Sequence, residues 1–195
     1  MSSCTGALLL LNLTGLVMAS AAHRNYVSDN MRYAHNYVAH RLNLTKPHIG
    51  NDPLFTFIKN NASCLRQHNL SLFNKTLDVY LRMFSIILDD TTTSPLLKPL
   101  SGKVQEAVKS NLTELHRKML ELKDLLQGQN PRHHGPRHRS KRENLLSKLD
   151  NIQVDDVLNQ KKALAELKVF YQAASVCHYH GYVPAADSAH IATAK

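Results

Sequence analysis

The chain has 195 residues and a formal net charge of +9 with its 12 histidines neutral. That length makes one domain, large enough to bury a core without metal or a dense set of disulfides. Seven glycines and seven prolines exclude a collagenous or wholly disordered chain, and no segment reaches the roughly 20 apolar residues of a membrane span.

Residues 1–22 read as a signal peptide. Ala7 to Val17 is apolar apart from Asn12, Thr14 and Gly15, and Ala19-Ser20-Ala21 supplies the small residues that signal peptidase needs. A buried N-terminal core helix is the alternative, but Gly15 and the small-residue cluster suit it less well. The expected mature chain is secreted and runs over 23–177, followed by a weakly patterned, flexible tail over 178–195. Six Asn-x-Ser/Thr sequons occur, where chance gives about two. Asn12 leaves with the signal, so Asn43, Asn61, Asn69, Asn74 and Asn111 are the glycosylation candidates. Cys64 and Cys177 remain as an even pair in an oxidising compartment. They are disulfide candidates within or between chains, with two buried thiols as the other reading.

Past the signal the pattern is helical. Val27, Met31, Ala34, Val38 and Leu42 are spaced 4, 3, 4 and 4 apart, one stripe of a helix. Ser28 is placed to cap it, Pro47 bars its continuation, and residues 43–51 read as a loop. Asp52-Pro53 reads as the N-cap and first-turn proline of a short second helix through Leu54, Phe55, Phe57 and Ile58. A third helix begins near Ser71. Phe73, Leu77, Tyr80, Leu81, Phe84, Ile87 and Leu88 cover most of its circumference, which makes it central. The polar run Asp89 to Pro95 breaks it. Ser101 opens a fourth helix with the stripe Val104, Val108, Leu112, Leu115, Met119, Leu122 and Leu126, stopped by Gly128 and Pro131.

Residues 131–142 (PRHHGPRHRSKR) hold five Lys/Arg, three His and no acid. This basic run reads as an exposed loop. It fits a plain solvated charge run, a heparan-sulfate patch, or a cleavage site, because Arg139, Lys141 and Arg142 have the Arg-x-Lys-Arg form of furin-like convertase substrates. A nuclear nucleic-acid role does not fit a secreted chain. A short helix around Leu145, Leu146 and Leu149 follows, then a last helix through Val154, Val157, Leu158, Ala163, Leu164, Leu167, Phe170 and Tyr171. No enzyme signature is present, and no cofactor is expected. Cys177, His178 and His180 fall one ligand short of a structural zinc site, so no metal is expected either.

The last helix carries a resemblance. Gln160, Lys162, Ala163, Glu166 and Leu167 match the signature of interferon gamma, while Asn159 and Phe170 depart from its aliphatic ends. Leu54-Phe55, Ile58-Lys59-Asn60, Phe84 and Asp89-Asp90 resemble that family's second and third helices in order and spacing. The sequon-rich chain and short tail are similar to its fish interferon-gamma-related branch. The resemblance implies an all-α, six-helix cytokine forming an interdigitated homodimer. It implies binding to class II cytokine receptors and JAK-STAT signalling in antiviral and macrophage-activating defence. A third helix that is apolar all round agrees, since it needs more cover than one short bundle offers. Receptor contacts in the family come from the first helix, the loop after it and part of the last helix. Here that implies Val27, Asp29, Asn30, Arg32, Tyr33, Lys46, His48 and Asn51. Ala165 stands where many members have a His, and the tail lacks the family's basic cluster. Two alternatives stay open: another helical cytokine of the interleukin-10 kind, and a precursor cut at Arg142 to release a basic peptide.

Overall fold

Ser28 does what its position promised. Its hydroxyl accepts from the Met31 amide at 3.3 Å and caps the first helix. In a computed structural model that describes residues 25–56, 68–127 and 139–181, all regular structure among the described residues is helical. The helices are α1 (Asp29–Arg41), α2 (Pro47–Gly50), α3 (His68–Ile87), α4 (Gly102–Gln127), α5 (Arg139–Asp150) and α6 (Val157–Gly181).

The stripes read from the sequence are the buried ones. Val27, Met31, Ala34, Val38 and Leu42 all join the core, and so do Val108, Leu112, Leu115, Met119, Leu122 and Leu126 of α4. α1 lies along α4 and α6, and α4 also packs on α3 and α6. At one end of α3, four rings interlock. Phe170 sits 5.0 Å from Tyr80 and 5.7 Å from Phe73, and Phe55 sits 5.1 Å from Tyr80. Fully burying each such ring contributes about 1.5–3 kcal/mol. Exposed ion pairs such as Lys123–Asp78 at 2.9 Å add little beside this.

Several boundaries differ from the sequence reading. Pro47 ends α1's reach but also starts α2, a single turn inside the segment expected to be loop, because proline suits a first helical position. Asp52 caps no helix; its carboxylate pairs with Lys162 instead, and residues 57–67 lie outside the described residues. α5 begins at Arg139, so the last four residues of the basic run are helical. The side chains of Arg139, Lys141 and Arg142 lie outside the described residues. α6 continues through His178 to Gly181, into the expected tail.

The argument that α3 needs a second chain for cover does not hold. Leu72, Phe73, Leu77, Val79, Tyr80, Met83, Phe84 and Ile87 are all buried within one chain, under α4, α5 and α6. The reason is the short connector over 151–156, which turns α6 back across α3 of the same chain. Asp156 caps α6 by accepting from the Asn159 amide at 2.7 Å, and the Gln160 side chain donates to the Val154 carbonyl at 3.0 Å.

Candidate functional site

The residues of the α6 signature anchor that helix to its surroundings. Lys162 and Glu166 hold the segment after α2 against the last helix, while Gln160 and Ala163 tie that helix to the connector before it and to α3. The Glu166 carboxylate accepts from the Leu54 amide at 2.5 Å and the Phe55 amide at 3.1 Å. The backbone at 54–55 is not helical, so these donors have no ladder partner, and a carboxylate acceptor makes both bonds charge-assisted. One turn earlier, Lys162 is buried and its ammonium pairs with Asp52. Between them, the Ala163 carbonyl accepts from the Tyr80 hydroxyl at 2.9 Å. Burial, and then the nearby Glu166 charge, push the Tyr80 phenol well above its ordinary range, so it stays a donor at any working pH. Ala163 and Leu167 are fully buried.

α1 runs antiparallel to α6 and is pinned along its length. The Tyr26 amide donates to Gln172 at 2.9 Å, and the Tyr26 ring stacks on Tyr179 at 4.7 Å. Lys168 donates to the Asn36 side chain at 2.9 Å. His35 sits between them, buried, with Nε2 2.8 Å from the Leu164 carbonyl. Nε2 therefore carries the hydrogen and donates, while Nδ1 is buried without a hydrogen bond.

Burial, with the Lys168 charge adding to it, holds the His35 imidazole below its usual value of 6.5, and burial alone lowers His116 in the same direction. The folded state thus keeps these rings neutral while the unfolded chain takes up protons first. Stability is expected to be level above about pH 6.5 and to fall as pH drops below it. Urea unfolding at about pH 7.5 and about pH 5 measures this. His35→Gln retains a donor toward Leu164 and should flatten much of the acid decline; equal midpoints for the wild type at both pH values would contradict the assignment.

The face left outward is polar and aromatic. Asp29, Asn30, Arg32, Lys46, His48 and Asn51 are exposed, and Tyr33 is 69 % exposed. Arg41 lies 5.3 Å over the Tyr37 ring, and Arg32 pairs with Asp29 at 3.7 Å. Val27 is a correction: at 8 % exposure it belongs to the core and offers nothing to a partner, because it opens α1's apolar stripe. The α6 residues Leu158 and Val169 remain 43 % and 57 % exposed.

Cys177, on α6, is disulfide-bonded; the chain's other cysteines, Cys4 and Cys64, lie outside the described residues. A bonded sulfur is not a thiolate ligand, which removes the zinc arrangement weighed for Cys177, His178 and His180. No group of three or more metal-ligating side chains occurs among the described residues. Of the sequons, Asn43, Asn74 and Asn111 can be described; Asn61 and the Asn69 side chain cannot. Compared with family models, curated proteins and solved structures, the chain matches none.

Sequence reasoning missed His35, Asp52 and Tyr80 as site residues. His35 was findable, since it stands four residues after Met31 and three before Val38, on the apolar stripe. The Asp52 and Glu166 contacts join positions more than a hundred residues apart and leave no local signal.

Proposed function

We propose that this chain is a secreted helical cytokine of the interferon-gamma type, acting by binding and clustering class II cytokine receptors to trigger JAK-STAT signalling. The observation that carries the reading is the latch on α6. Gln160, Lys162, Ala163 and Glu166, the residues of the resemblance, each bond to the connector, the 52–55 segment or α3. That gives the signature a physical purpose: it fixes the segment that follows α2 and the seat of α6 on α3, while the neighbouring α6 positions Leu164, Lys168 and Gln172 hold α1. The face itself suits recognition, since exposed Tyr and Arg side chains are the types that dominate binding energy. The disulfide at Cys177 fits an oxidising, extracellular setting.

A homodimer belongs to the same proposal, with one change of argument. Its support is no longer an uncovered α3 but the apolar side chains Leu158 and Val169 left on α6, which a two-fold partner would cover. Light scattering on the deglycosylated protein is expected to give twice the chain mass. A chain-sized particle active at the same concentration would remove the dimer.

The experiment for the function is exposure of leukocytes to folded, disulfide-bonded protein with STAT phosphorylation as the readout. Tyr33→Ala should lower potency by about tenfold or more while leaving the helical spectrum unchanged. Unaltered potency would take α1's outer face out of the receptor contact.

A further inference from the structure

We propose that Asn43 carries an N-linked glycan that stands over the α1–α2 loop and limits access to Lys46 in it, an assignment that rests on the secreted reading above. The three describable sequons differ sharply in geometry. Leu42 and Leu44 are buried, at 4 % and 3 % exposure, while Asn43 and Thr45 between and beyond them are exposed. The two sequon side chains therefore both face solvent on an irregular segment. Asn43 adopts φ 55, a left-handed conformation that asparagine tolerates at a helix end. That conformation accounts for Asn43 but asks nothing of Thr45.

The helical sequons have their groups bonded within the helix or buried. In α4 the Asn111 Nδ2, the atom a sugar would take, donates to the Ala107 carbonyl at 2.8 Å, and the Thr113 hydroxyl donates to Lys109 at 3.0 Å. In α3 Thr76 is fully buried and donates to the Leu72 carbonyl at 2.8 Å, and the Asn74 Oδ1 is buried. Residues two apart on a helix do not share a face, so the hydroxyl cannot stand beside the amide. Asn43 alone of the three presents both groups in the surface-loop setting that the modification requires.

The reaction needs an oligosaccharide linked to a lipid diphosphate. The Asn43 Nδ2 bonds to the anomeric carbon, the bond from that carbon to the diphosphate oxygen breaks, the lipid diphosphate departs, and one amide proton passes to a base of the transferase. The sugar then stands near Lys46, whose amide donates to the Asn43 carbonyl at 3.4 Å, and His48 follows in the first turn of α2. A bulky glycan there covers the loop's charge from large partners.

The test uses full-length protein secreted from animal cells, as wild type and as Thr45→Ala, which removes the sequon but keeps Asn43 in its turn. Glycopeptide mass spectrometry is expected to find Asn43 occupied in the wild type and bare in the variant. A bare wild-type Asn43 would overturn the assignment, whatever the state of Asn74 and Asn111. Acylation of Lys46 by an amine-reactive ester carried on a bulky polymer should run several-fold faster in Thr45→Ala; equal rates would overturn the shielding. In leukocytes the variant should be the more potent form. Silence from both forms with Asn43 occupied would count against the cytokine reading while supporting the glycan.

Discussion

Phe84→Asp is expected to abolish folding of the single chain. Phe84 is 1 % exposed on α3 and lies 5.4 Å from the His116 ring of α4. Removing the ring costs about 3–5 kcal/mol by itself, and a buried carboxylate with no designed partner adds several more. A domain of this size has a total stability of about 5–15 kcal/mol, so the sum is enough to unfold it. Arg82→Asp is the control. It stands two positions away on the exposed side of the same helix and should change stability by no more than about 0.5 kcal/mol. Circular dichroism and a urea titration read both. A cooperative transition at the wild-type midpoint in Phe84→Asp would refute the burial of α3. The contrast also tests where the cover comes from: a dilute monomer should show the same difference, because α4, α5 and α6 of one chain supply it.

The second large effect is expected at Glu166. Replacing it with Ala strands the Leu54 and Phe55 amides beneath the loop. Bonds to a charged acceptor contribute about 1.5–3 kcal/mol each. The site is only part-buried, so water can reach one donor and the total should be about 2–3 kcal/mol, not the sum. Glu166→Gln keeps one acceptor oxygen and loses the charge, and should fall between the two. Hydrogen exchange gives a local readout that global unfolding does not. The Leu54 and Phe55 amides should exchange faster in Glu166→Ala while the α4 core amides stay protected under native conditions. Unchanged exchange at Leu54 and Phe55 would show that the carboxylate does not hold them.

Much of this fold could be read from residue spacing. The stripes on α1 and α4 follow the helical period so regularly that burial had one answer, and Phe84 was placed correctly in the interior. What could not be read has a common physical origin. Pro47 can end one helix or begin another, and the sequence alone did not show that it would begin α2. Arg139 to Arg142 has the composition of a solvated run, but its backbone is helical, continuous with the turn that carries Leu145, Leu146 and Leu149. Asp52 beside Pro53 has the form of a cap, yet the ammonium of Lys162, 110 positions away, claims its carboxylate. Glu166 and Lys162 were singled out by resemblance alone; their roles as anchors of the 52–55 segment follow from the tertiary fold. Cover for α3 was misassigned for a similar reason, since apolarity all around the helix cannot say which chain provides it, and the dimer itself then rests on the resemblance and on the exposed apolar side chains of α6.

The central proposal is that α6 holds α1, through Leu164, Lys168 and Gln172, and the segment after α2, through Lys162 and Glu166, in the shape that recognition uses. Its most direct measurement is the STAT-phosphorylation dose response of leukocytes to wild type and Glu166→Ala, run at a temperature where both show full helical content. The expected result is a response to the wild type and a shift of about tenfold or more to higher concentration for the variant. Superimposable curves, or no response to folded wild type in any leukocyte class, would contradict it.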